Sequence, residues 1–230
     1  MNYKIINLNN NCYLNVILQI FLNNKYTIKQ LLKSDLLIIK ENIIDPSKIL
    51  NLIKINLNIN QQNDAQEAFT YLIDKISYLN NACEGCISSD FKCYNCHKIR
   101  VKKENFTTLN LYDQSMEKSL QNYLETTEHN LECDFCKTTS KTSINKKIIK
   151  IGNLLIFYNL LKLKINISTS INYNSNEYKL TGYIKHFGNS NYGHYIYYNI
   201  EKNLEFDDTT INKIEKHNLN DIYLIIYEKQ

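Results

Sequence analysis

Apolar positions along the chain follow two periods, helical in the first third and strand-like in the last. Residues 12 to 22, Cys-Tyr-Leu-Asn-Val-Ile-Leu-Gln-Ile-Phe-Leu, carry apolar side chains on a broad face with helical recurrence. Asn11, directly before them, offers a side chain that can cap the helix start. A second helix is predicted over 46–57, with Asp45 as cap and Pro46 at the first helical position. A third is predicted over 64–79, where Phe69, Leu72, Ile73 and Ile76 share one face. Asp64 and Glu67 fall in its first turn and suit the positive end of a helix, so capping alone could account for them. From about 82 to 150 short segments alternate with polar stretches, too poor in apolar residues for a large core of their own. The last eighty residues predict strands over 148–158, 178–185, 193–200 and 222–228, rich in Ile, Tyr and Leu. Helices first and strands later predict an α+β arrangement, not alternating βαβ units.

Composition narrows the class. With 43% hydrophobic and 22% charged residues, the 230-residue chain has the makeup of a folded protein with a sizeable core. One proline, five glycines and no internal repeat leave no linker, so a single unit over 1–230 is expected. The net charge of +4 is small and the basic residues are scattered, which argues against a nucleic-acid partner. No apolar run approaches the roughly 20 residues that cross a bilayer. The N-terminus lacks the apolar stretch and cleavage site of a signal peptide. The expectation is a soluble intracellular protein, cytoplasmic and/or nuclear, with no membrane partner.

In a reducing compartment the seven cysteines need a purpose other than disulfides. Six form Cys-x-x-Cys pairs: Cys83/Cys86, Cys93/Cys96 and Cys133/Cys136. Two such pairs supply four thiolates to one tetrahedral zinc, at about 2.3 Å per bond. The segments beginning at Cys93 and Cys133 look like matched knuckles, 36 residues lie between Cys96 and Cys133, and Cys83 and Cys86 match less well. A closed set of four ligands leaves no position for water, so such a zinc would be structural, with binding coupled to folding.

Cys12 stands apart, at a predicted helix start, where unpaired N–H groups and the helix dipole favour a thiolate. A nucleophilic thiolate needs a base that can later protonate the leaving group, and histidine suits this near neutral pH. His97, His129, His186, His194 and His217 are the candidates.

Four blocks in order single out one of them. Residues 7–19, Asn-Leu-Asn-Asn-Asn-Cys-Tyr-Leu-Asn-Val-Ile-Leu-Gln, resemble the cysteine box of the ubiquitin-specific proteases. Residues 61–74, Gln-Gln-Asn-Asp-Ala-Gln-Glu-Ala-Phe-Thr-Tyr-Leu-Ile-Asp, resemble that family's Gln-x-Asp-Ala-x-Glu-Phe segment. Residues 178–208, through Gly193-His194-Tyr195 to Phe206-Asp207-Asp208, resemble its histidine box and acidic end, and the cysteine pairs lie where its zinc-bearing fingers belong. The resemblance implies a papain-like α+β fold with helical thumb, β-sheet palm and zinc-stapled fingers over about 82–150. It implies Cys12 as nucleophile, His194 as general base and acid, Asp207 as its orienting acid with Asp208 in reserve, and Asn7 as oxyanion donor. Asp64, His186 and Tyr195 would line the channel for ubiquitin's C-terminal tail, with Asp64 placed to pair with an arginine. Cys93, Cys96, Cys133 and Cys136 would hold structural Zn2+, and Cys83 and Cys86 would not.

The implied function is a thiol protease that hydrolyses the bond after the C-terminal glycine of ubiquitin, with ubiquitin or ubiquitinated proteins as partners. Asn9 and Asn11 stand where the family usually has Gly and Thr, and glycine there would matter if the loop needs a positive φ. The chain is short for the family, which leaves room for an activating protein partner that completes the binding surface. The alternative is a catalytically silent ubiquitin-binding scaffold on the same fold.

Overall fold

The computed structural model describes residues 2–230 except 56, 60, 162, 190 and 191. The N-terminal lobe comprises β1 (Lys4–Ile5), α1 (Cys12–Leu22), α2 (Ile28–Lys33), β2 (Ile38–Lys40), β3 (Ile43–Asp45), α3 (Ser47–Ile53), α4 (Ala65–Lys75) and α5 (Ser77–Cys83). Every residue of α1 is buried, Asn15 and Gln19 included, so this helix is an axle inside the molecule and not an amphipathic surface element. It packs on α4 and on the palm strands, and Phe21 stacks on Phe69 with ring centroids 5.8 Å apart. The helix predicted over 46–57 is shorter, and the one predicted over 64–79 breaks at Ile76, whose extended backbone (φ −122°, ψ 95°) separates α4 from α5.

The finger region holds β4 (Gly85–Cys93), β5 (Ile99–Phe106), β6 (Leu109–Asn110), α6 (Met116–Leu124), β7 (Thr127–Glu132) and β8 (Thr139–Lys150). Its four-stranded antiparallel sheet runs in the order β5-β4-β8-β7. The palm adds β9 (Leu154–Tyr158), β10 (Ser170–Tyr173), β11 (Asn176–Gly188), β12 (Gly193–Asn199), β13 (Leu204–Asp207), β14 (Thr210–Lys213) and β15 (Ile222–Lys229). These form a sheet of order β14-β13-β12-β11-β15-β9-β6, with β10 paired to β11. The run predicted as one strand over 148–158 is two, because Ile151, Gly152 and Asn153 turn the chain from fingers to palm. A side chain at Gly152 would strike the backbone of Ala82 and Cys83, so the turn needs glycine.

The palm is covered on both faces, which explains its near-continuous apolar strands. Along β15, Leu224 and Ile226 face the core shared with the helical lobe. Ile225 and Tyr227, one residue out of phase, face a second core with Met116 and Leu120 of α6. Burying one such side chain contributes about 1.5–3 kcal/mol, and most central palm residues do so. The architecture is the α+β arrangement of helical lobe, palm and fingers.

Candidate active site

Cys12 opens α1 and is buried against β12 and β13, the strands that carry the acid–base groups. His194 lies on β12, and its ring hydrogen-bonds both Cys12 and Asp207. Its Nε2 donates to Asp207 Oδ1 at 2.6 Å. The imidazole is pushed up to about 9, first by its hydrogen bond to Cys12 and further by Asp207, while burial acts in the opposite direction. The ring therefore keeps its proton at neutral pH.

The two adjacent acids diverge. Asp207 ends β13 and bonds His194, whereas Asp208 begins the two-residue turn to β14 with φ 48°, its carboxylate within 4.8 Å of the His194 ring but hydrogen-bonded elsewhere. Asp208 Oδ2 accepts from Asn7 Nδ2 at 2.7 Å, and its Oδ1 accepts from Asn15 Nδ2 at 2.6 Å. The Asp208 carbonyl also takes the Ile5 amide at 3.0 Å. Asp208 is thus a clasp on the loop before Cys12, not a partner of the imidazole.

That loop is built from asparagines. Asn11 does not cap α1 as expected; its Oδ1 reaches back to the amides of Leu8 (2.6 Å) and Asn9 (3.2 Å). Its Nδ2 donates to Asn15 Oδ1 at 2.8 Å, and Asn7 Oδ1 takes the Asn11 amide at 3.1 Å. The left-handed residue of the loop is Asn10 (φ 52°), not Asn9, so the missing glycine at Asn9 costs no backbone strain.

Beside the triad-like array lies a cleft of about 260 Å³, lined among others by Asp64, Tyr158, His186, Tyr195 and Tyr223. Asp64 caps α4, its Oδ1 accepting from the amides of Gln66 (2.8 Å) and Glu67 (3.1 Å) and from the Tyr223 hydroxyl. Capping and cleft-lining are not exclusive here. His186 stacks on Tyr195 (centroids 4.3 Å) and meets Tyr223 edge-on at 6.1 Å. Tyr195 is buried, so it meets the cleft as a wall behind His186 and not as a projecting arm.

At the far end of the fingers, the sulfurs of Cys93, Cys96, Cys133 and Cys136 all lie within 4.8 Å of one another. Cys93 and Cys136 are 4.0 Å apart and Cys96 and Cys133 3.6 Å, close to the ~3.8 Å edge of a tetrahedron with ~2.3 Å metal–sulfur bonds. The two knuckles match in backbone. His97 (φ 60°) and Lys137 (φ 57°) are left-handed, and each returns its amide to the first cysteine of its pair, at 2.9 and 2.8 Å. The four thiols can hold a metal ion. Cys86 is the second residue of β4 and Cys93 its last, so about 20 Å of strand separates Cys86 from the cluster. Cys83 is fully buried at the end of α5, and burial pushes its thiol up.

A family model described as ubiquitin carboxyl-terminal hydrolase matches residues 3–227. The chain belongs to the ubiquitin carboxyl-terminal hydrolase family. Its reaction is that of a cysteine-type deubiquitinase. Among solved structures, the hydrolase resembles a chain of the SAGA DUB module Ubp8/Sgf11/Sus1/Sgf73 bound to monoubiquitin, at 19% identity and TM-score 0.78, over 99% of this chain and 69% of that one. The same module bound to ubiquitin aldehyde matches at 18% identity and TM-score 0.78, again over 99% and 69%.

Several residues of the hydrolase site carry no assignment from sequence. Asn15 gives a faint signal, since an amide on an otherwise apolar buried helix must find a partner, here Asp208. Tyr158 and Tyr223 give none, because sheet pairing alone brings them to the cleft. Gln62 lies inside the matched Gln-x-Asp segment and also lines the cleft.

Proposed function

We propose that residues 1–230 act as one catalytic unit that hydrolyses isopeptide or peptide bonds after the C-terminal glycine of ubiquitin through an acyl-enzyme on Cys12. The alignment of Cys12, His194 and Asp207 carries this reading. Cys12 attacks the carbonyl as thiolate, and His194 delivers its proton to the leaving amine, forming a thioester. Water then attacks the thioester with His194 as base, releasing the ubiquitin carboxylate and restoring the thiol. Asp207 holds the ring in the required orientation. An amide nitrogen has two hydrogens; Asn7 gives one to Asp208 and keeps the other for the oxyanion, worth about 3 kcal/mol of transition-state stabilisation.

The tail of ubiquitin occupies the cleft beside Asp64, His186 and Tyr195, its arginine meeting the Asp64 carboxylate. The four finger thiolates hold zinc, whose part is to fasten the two knuckles. Among the described residues no helix is long and apolar enough to cross a membrane, and we place the protein in the cytoplasm and/or nucleus. The matched modules contain the further subunits Sgf11, Sus1 and Sgf73, which supports an activating partner here. The test is incubation with ubiquitin bearing a C-terminal electrophile. A covalent adduct that Cys12→Ala abolishes is expected. No adduct from a folded, zinc-loaded protein would favour the silent scaffold.

A further inference from the structure

Gln62 joins two parts of the site that the proposed mechanism leaves unlinked. It sits in the loop before α4, on the helical lobe, half-buried at the edge of the cleft. Its Oε1 accepts the backbone N–H of Gly193 at 2.5 Å, across the divide between helical lobe and palm. Its Nε2 lies 3.4 Å from His186 Nε2. Gly193 is the first residue of β12 and the residue before His194. A side chain could not replace its hydrogen, since a Cβ there would lie 2.2 Å from His186 Nε2 and 2.6 Å from the Phe187 carbonyl. Glycine is thus required by crowding, and a glycine backbone has little intrinsic stiffness. Just upstream, Asn189 and Tyr192 exchange short loop bonds with each other. The Gln62 bond is the one that holds the Gly193 backbone itself to the helical lobe, beside the packing of α1 on β12.

We propose that Gln62 is a positioning residue for hydrolysis. Its carboxamide oxygen fixes Gly193, and through the peptide that follows it fixes the distance of His194 from Cys12, while its amide group sets the ring of His186 at the cleft wall. The proposal rests on the catalytic reading of Cys12 and His194. The acceptor is the part that matters for chemistry, because displacement of a catalytic group by about 1 Å can cost on the order of 100-fold in rate. The donor toward His186 acts on the cleft. The two functions separate cleanly by substitution. Gln62→Met keeps length and removes both donor and acceptor, whereas Gln62→Glu keeps the acceptor and removes the donor.

The full chain and both variants are compared in two assays. One is alkylation of Cys12 by iodoacetamide at neutral pH, which needs no ubiquitin. The other is kcat and KM on a ubiquitin C-terminal amide. For Gln62→Met, alkylation and kcat both fall about tenfold, the loss expected for one unpaired amide, and KM rises as the contact to His186 at the cleft is lost. For Gln62→Glu, alkylation and kcat return to within about threefold of the parent. A rise in KM alone, an unchanged alkylation rate in Gln62→Met, or a Gln62→Glu as slow as Gln62→Met overturns the proposal. If Gln62→Met does not fold, exchange of the Gly193 amide in the unaltered protein decides: protection supports the bond and free exchange overturns it. Loss of alkylation in Gln62→Met by a chain that cleaves no ubiquitin amide would overturn the ubiquitin reading while supporting this one.

Discussion

Fingers and palm are both antiparallel sheets of this one chain, and they are held in opposite ways. In the palm, β15 is buried along seven consecutive residues and β9 along four of its five. In the fingers, seven of the eight residues of β5 are exposed, and β7 is exposed along most of its length. A sheet with one face in water and long free edges cannot stabilise itself by burial alone. The four thiols stand at the end of the fingers farthest from the α6 contact, where apolar support is thinnest. The comparison teaches that the cysteines are placed where the hydrophobic effect runs out, whereas Cys12 and the strands that carry His194 and Asp207 belong to a region held by burial.

The sharpest way to break that comparison is to deny the fingers the zinc proposed for their four thiols. Zinc binding to such four-ligand sites is worth about 10–16 kcal/mol, so chelation, or Cys133→Ser, is expected to abolish amide protection across β4, β5, β7 and β8. Protection in β9, β11 and β15 should survive; if it collapses with the fingers, the two regions are one cooperative unit. The converse experiment is Phe157→Ala, in a side chain fully buried in the palm and packed edge-on against Tyr227. It should cost about 3–5 kcal/mol in urea unfolding. Val101→Ala, at a finger position 55% exposed, should change stability by no more than about 0.5 kcal/mol.

Smaller effects sharpen the picture at the site. Asp208→Ala removes the shorter of the two acceptors of the buried Asn15 amide and the acceptor of the Asn7 amide, at a cost of about 1–3 kcal/mol in stability and a fall in kcat. Its His194 titration, followed by NMR, should stay in place, whereas Asp207→Ala should lower it. The smallest effect is the pH dependence from His194. Its folded pKa, about 9, is raised above the ordinary value, so its stabilising contribution is full below about pH 6.5 and is lost as pH rises through 9. The ring is more than one-third exposed, which limits the size. The melting temperature of the parent minus that of His194→Gln should decline over that window, and Cys12→Ala should flatten the decline.

Much of the outline was legible from local pattern. The helix at Cys12, the strands around His194 and the knuckle spacing of the cysteines each depend on residues a few positions apart. What escaped were elements whose existence depends on docking. The strands of 2–4 residues, β1, β2, β3, β6, β10, β13 and β14, are too brief to carry a periodic signal, and α6 has its apolar residues mixed into a polar stretch. The break at Ile76 was hidden because its apolar side chain continues the helical face while its backbone leaves it.

By itself the sequence determined which chemical groups are available, and in what order: one lone thiol at a helix start, matched pairs of thiols, and a histidine box ending in two acids. It could not say which acid meets the imidazole. Asp207 and Asp208 have the same side chain and adjoin each other, and only the register of β13 with β14 turns one toward His194 and the other toward Asn7. Nor could it show that Asn11 ties a loop instead of capping a helix, or that Gln62 reaches Gly193 across 131 residues of chain. Local pattern records the conformations each segment prefers. Which partner a polar group finds depends on distances set by the packing of the two cores, and those exist only once the chain has folded.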